Sequence, residues 1–154
     1  DGRGLAAALM LGADGVLVGT RFVASEESEA PEGIRRAIIR ADGDATLKSR
    51  SIDVVRQRYW PNQEFVIRVL QNHFVAKWHG RERELEATID TEKEAFWSAY
   101  QAGDADNTGV LAGEVSGIIG SAPPVAQIVE SMIAQASQLL GAHSPYVSPY
   151  GGNT

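Results

Sequence analysis

The chain has 154 residues, of which 44% are hydrophobic, enough to bury one ordinary core. A formal charge of −6 and a pI near 5.0 leave no basic footprint for nucleic acid. The arginines at positions 50, 56 and 58 are surrounded by acidic residues and read as a solvated helix face. No run of 18 apolar residues exists to span a membrane. The absence of cysteine removes disulfides, thiolate nucleophiles and Cys-type metal sites, as in a cytoplasmic protein.

In chain order, Asp1 stands where a helix N-cap belongs, and Leu5, Ala6, Leu9 and Met10 make an apolar face behind it. Gly12 suits the left-handed conformation that ends helices. Gly15 to Val18 (GVLV) is a continuous apolar run, the pattern of a parallel strand covered on both faces. Gly19-Thr20 follows: a glycine permits close backbone approach to an anion, and a threonine hydroxyl adds one hydrogen bond.

Ser25 to Ala30 is an acidic loop, and Pro31 opens a helix with Ile34, Ala37 and Ile38 at helical spacing. Residues 41–45 (ADGDA) are turn chemistry. Thr46 to Trp60 reads as a short helix or an irregular crossing, ended by Pro61. From Asn62, the stripe Phe65, Val66, Val69, Leu70, Phe74, Val75 and Trp78 predicts one helix closed by Gly80. Arg81 to Glu86 (RERELE) reads as exposed, and Thr91 with Glu94 has capping-box spacing for a helix through Phe96, Trp97 and Tyr100 to Gly103. Those aromatics either line a substrate pocket or, as is commoner at this spacing, fill core. Val110 to Ile119 is a glycine-punctuated apolar stretch. Pro123 and Pro124 start a last helix whose face is Val125, Ile128, Val129, Met132, Ile133, Ala136, Leu139 and Leu140, with Gly141 as its stop. The tail at 142–154 has too little apolar surface to order itself.

The run DGRGLAAALMLGADGVLVGTRFVASEES resembles the seventh-helix, eighth-strand segment of flavin-binding (β/α)8 barrels, above all the nitronate monooxygenase (2-nitropropane dioxygenase) family. Ala112 to Leu140 (AGEVSGIIGSAPPVAQIVESMIAQASQLL) is similar to that family's C-terminal loop and last helix. A whole barrel takes roughly 250 residues. The resemblance therefore implies an α/β fold: the C-terminal part of a TIM barrel, incomplete alone, with an additional, mostly helical subdomain. Residues 1–40 would be the last barrel units, 41–110 the helical subdomain, 111–141 the flavin-bordering loop and C-terminal helix, and 142–154 a flexible tail. Because the sequence starts inside a motif, we expect strand Gly15–Val18 to pair with strands of an N-terminal barrel segment. Alone, it would rearrange or drive a homodimer.

What the resemblance implies for chemistry is an FMN-dependent oxidation of alkyl nitronates with O2 to carbonyl compounds and nitrite. Val18, Gly19 and Thr20 would contact the FMN phosphate, and Gly113 would border the flavin. The family commonly reads Ala-Gly-Gln where this chain has Ala112-Gly113-Glu114, so the Glu114 carboxylate is expected to point away from the phosphate or sit near the ring. The family's general base is a histidine upstream of this segment, which leaves no catalytic residue here. A flavin-type enoyl-acyl-carrier-protein reductase and an IMP-dehydrogenase-like barrel end in similar segments and remain alternatives, as does a non-catalytic helical module binding a partner.

Two further patterns bear on metals. Asp104, Asp106, Thr108 and Gly109 match positions one, three, five and six of an EF-hand loop, but position twelve is Val115 and Glu114 falls one residue early. A polar turn is the better reading. His73 and His79 are six apart and share no face as a zinc pair would; with His143, in the tail, they read as surface or satisfied histidines.

Overall fold

The computed structural model describes residues 1–62 and 64–142. The tail expectation and His143 lie outside them. The chain divides into two compact units, one made of residues 1–18 with the chain from Pro123 onward, the other of residues 19–122.

In the first unit, α1 (Gly2–Met10) begins as Asp1 suggests: its carboxylate accepts from the Arg3 and Gly4 amides at 3.1 and 3.2 Å. α8 (Val125–Ala142) packs along it. Contact is close because Gly2 lacks a side chain: a Cβ there would lie 2.5 Å from the Met132 carbonyl oxygen. The Gly2 amide donates to Gln135 Oε1 at 2.7 Å. The predicted faces are only partly used. Ala6, Ile128 and Ala136 are buried, while Met10, Val129 and Ile133 are exposed. Gly12 takes φ +89 just past α1 as expected, but Gly141 lies inside α8 instead of ending it. Gly15–Val18 forms no strand, and Leu17 is fully exposed. A strand is defined by its ladder partner, and pairing among the described residues lies elsewhere, in one two-stranded sheet and a bridge from Leu111 to it.

The second unit runs α2 (Thr20–Val23), α3 (Glu32–Arg40), β1 (Thr46–Lys48), α4 (Ser51–Val55), β2 (Arg68–Leu70), α5 (His73–Trp78), α6 (Glu82–Ala87) and α7 (Ile89–Ala102). Pro31 caps α3 from just outside it, where its fixed φ suits the turn. Its Ile34 and Ile38 enter a cluster with Ala24, Leu70, Val110, Ala112 and Ile119. A second cluster joins Ile52, Val55, Val69, Phe74, Val75, Trp78, Leu85 and Phe96. Phe74 and Phe96 meet edge to face, centroids 5.1 Å apart.

Three expectations are corrected here. The helix expected from Asn62 to Gly80 is a strand followed by a helix. β1 and β2 pair antiparallel, Leu47 opposite Val69, and Asn72 then caps α5 by accepting from the Val75 amide at 2.9 Å. The β-branched run Val66-Ile67 favours an extended chain, and the cap places the helix start ten residues later than the apolar stripe implied. The charged stretch RERELE is α6, with Leu85 wholly buried. Finally, α7 starts at Ile89, which puts Thr91 inside the first turn rather than at a cap; its end at Gly103, φ +71, is as read.

Candidate functional site

Gly19 immediately precedes α2, so Thr20 is the first residue of a helical turn instead of the exit from a strand. Its side chain has a defined job: the Thr20 hydroxyl oxygen accepts the Gly113 amide at 3.0 Å. Two residues singled out 93 positions apart are thus joined directly. Because the hydroxyl accepts in this bond, its own proton remains for a second acceptor. Arg21, next in the turn, donates from Nη2 to the Ala24 and Ser121 carbonyls, while its buried Nε has no hydrogen-bond partner among the described residues. Burial lowers its pKa. Val18 belongs to the other unit, half-buried in irregular chain.

The loop that carries Gly113 is anchored on both sides. Ahead of it, the Leu70 amide donates to the Val110 carbonyl at 2.9 Å and Leu111 bridges Val69. Behind it, residues 114–118 form a tight helical turn that docks on residues 42–43. A Cβ on Gly117 would stand 2.7 Å from the Gly43 amide nitrogen. Glu114 turns outward to Arg68, 3.1 Å away in an exposed ion pair.

Phe96 is core, but Trp97 and Tyr100 line an apolar cavity of about 430 Å³ with Val23, Ile34, Arg56 and Leu111. Phe96 lines this cavity as well, and Tyr100 also packs against the cluster around Ile34 and Ile38, so the α7 aromatics are mainly core with one side open to the cavity. Leu111 and Val23 bring this cavity within a few residues of Gly113 and Thr20 along the chain.

Asp53 stands in no motif and is a candidate functional residue that sequence reasoning misses. It sits in the middle of α4, buried, and lines a separate cavity of about 330 Å³. Its Oδ2 has no hydrogen-bond partner among the described residues. Burial raises its pKa, against the opposing pull of the Ile67 amide, the Trp60 indole and the guanidinium groups of Arg56 and Arg50. A carboxyl with a raised folded-state pKa holds its proton longer when folded, so its contribution to stability falls as pH rises from the unfolded pKa through the folded one. Asp53→Asn is accordingly expected to raise the melting temperature at neutral pH. The gain should vanish below the unfolded carboxyl pKa; a thermal-melt series against pH reads both.

The EF-hand-like loop is a turn built from its own polar atoms. Asp104 Oδ1 accepts from the Asp106 and Asn107 amides at 3.1 and 3.3 Å, and Oδ2 from the Asn107 side chain at 2.8 Å. These bonds lower the Asp104 pKa, the Asn107 side chain most. No group of three potential ligands gathers among the described residues. His73 faces Asn107 and His79 faces Ser49, so each has a polar neighbour.

The sequence model of the nitronate monooxygenase family matches residues 1–135. The chain belongs to the nitronate monooxygenase family. Among relatives, the nitronate monooxygenase npaC of Metarhizium robertsii is 33% identical over 148 residues, covering 91% of this chain and 40% of that protein. FabK from Thermotoga maritima superposes with a TM-score of 0.74 at 29% identity, over 92% of this chain and 43% of that one. Nitroalkane oxidase from Streptomyces ansochromogenes gives 0.72 at 26%, over 92% and 38%. The chain thus spans less than half the length of the relatives it matches. No helix among the described residues is long and apolar enough to cross a membrane.

Proposed function

We propose that this chain is the C-terminal part of an FMN-dependent nitronate monooxygenase, contributing the last α/β units of a TIM barrel at residues 1–40. In that reading residues 41–110 are the flanking helical subdomain, and residues 111–141 return to the barrel. The Thr20–Gly113 hydrogen bond is the observation that carries the site assignment. It occupies one of the threonine oxygen's two lone pairs inside the protein and leaves the hydroxyl proton for a phosphate oxygen. Gly19 and Val18 complete the FMN contact through backbone groups, by resemblance to the family. Gly113 borders the cofactor and holds Thr20 in orientation. FMN, when bound, supplies the electron-accepting chemistry for an alkyl nitronate and O2; the protein's part is to hold it and to shape the pocket. The exposed Arg68–Glu114 pair keeps the Glu114 carboxylate off the phosphate, as the charge balance requires.

Thr20→Val is expected to lower FMN retention about tenfold in the protein that carries this chain, the scale of one charge-assisted hydrogen bond. Thr20→Ser should retain it. Flavin absorbance after gel filtration measures both, and equal retention by Thr20→Val would remove Thr20 from the site.

A second reading keeps the fold and changes the chemistry to reduction of an enoyl thioester by NAD(P)H. It stands because the likeness to FabK is as good as that to nitroalkane oxidase. Nitrite release from an alkyl nitronate, against NAD(P)H consumption with an enoyl thioester, separates the two.

A further inference from the structure

The cavity beside α4 combines features that the flavin reading does not use. Asp53 is only 7% exposed, and its Oδ2 lacks a donor among the described residues. A carboxylate oxygen withdrawn from water without a donor is unfavourable until a donor arrives. Around it stand Tyr59, Trp60 and Phe65, all substantially exposed, with Trp60 and Phe65 edge to face at 6.2 Å. Exposed aromatic rings about a buried acceptor offer π faces to a cation.

The charges agree. Asp53, Glu82 and Glu86 line the cavity with Arg50, and Arg56 also acts on Asp53, which leaves three acids against two guanidinium groups. An anion entering there would meet three carboxylates. A quaternary ammonium would gain the rings but carries no N–H for Oδ2. A cation bearing N–H groups on a small apolar body satisfies the oxygen, the rings and the charge together.

We propose that the Asp53 cavity is a binding site for a small organic cation of the primary-ammonium or amidinium class, with Asp53 Oδ2 accepting its N–H and Tyr59, Trp60 and Phe65 enclosing its body. The site is separate from the Thr20–Gly113 pair and stands whether or not the flavin reading does.

Benzylammonium is the probe, titrated against the protein at mildly alkaline pH and followed by ligand-observed NMR. Saturable binding is expected, about tenfold or more tighter than that of benzyltrimethylammonium, which cannot donate to Oδ2, and phenylacetate should not bind. Asp53→Asn should weaken benzylammonium by a similar factor without lowering the melting temperature. The comparison of the two ammonium probes needs only the unaltered protein, so it decides the question even if the variant folds poorly. Absent saturation, equal affinity for the two ammonium ions, binding of phenylacetate, or undiminished binding by a folded Asp53→Asn would each overturn the proposal.

Discussion

Gly33→Ala is expected to destabilise the protein by about 3 kcal/mol or more, the upper end of overpacking effects. Gly33 is the second residue of α3, and a Cβ there would lie 1.9 Å from the Gly103 carbonyl oxygen and 2.9 Å from its carbonyl carbon. Neither atom belongs to a side chain that can rotate aside. Gly103 is itself fixed, because its left-handed backbone at φ +71 closes α7 and its amide donates to the Tyr100 carbonyl at 3.0 Å. Relief therefore requires α3 or the end of α7 to shift as a body. A loss of this size is a large share of a typical domain's stability. Urea denaturation followed by circular dichroism measures it, and an unchanged midpoint would mean the two backbones are not in contact. Gly4→Ala is the control: it lies within α1 with open space around it, so alanine's higher helix propensity should leave stability equal or better.

Leu85→Ala should cost about 3 kcal/mol, within the range for deleting a buried leucine side chain. The residue is wholly buried and shares a cluster with Val55, Phe74, Trp78 and Phe96, although its neighbours Glu84 and Glu86 are exposed. The mechanism is a cavity in a core fed by several short helices, with no long element to close around the gap. Glu86→Ala, one residue away on the exposed side of α6, should change stability by less than about 0.5 kcal/mol. Comparing the two denaturation midpoints tests whether α6 is a structural element or a solvated connection.

Local signals were legible where a single residue type decides the geometry. Asp1 as a cap, Pro31 before a helix, and Gly12 and Gly103 in left-handed conformations all follow from side-chain chemistry over a few residues. What the chain concealed depends on distant partners. Val69 and Leu70 fit a helical stripe as well as a strand, and only pairing with residues 46–48 decides for the strand. Leu85 is one apolar residue among charges, too few for a periodic pattern, and its burial is set by helices before and after it. The reverse holds for Gly15–Val18, whose strand-like composition finds no ladder among the described residues. The hydrogen bond between Thr20 and Gly113 was not readable, since nothing local relates positions so far apart. Asp53 was invisible for a similar reason: an acid in a short helix looks solvated until the surrounding aromatics are placed.

The loop from Ala112 to Ser116 is tethered at one end by the Val69–Leu111 bridge and at the other by Gly117 pressed onto Gly43. Such a segment cannot gain or lose a residue without dislodging a sheet contact or a backbone-to-backbone contact. Changes there are best tolerated as exchanges of side chains at constant length, above all at the exposed Glu114. Insertions that a protein engineer wished to make would have to be placed elsewhere.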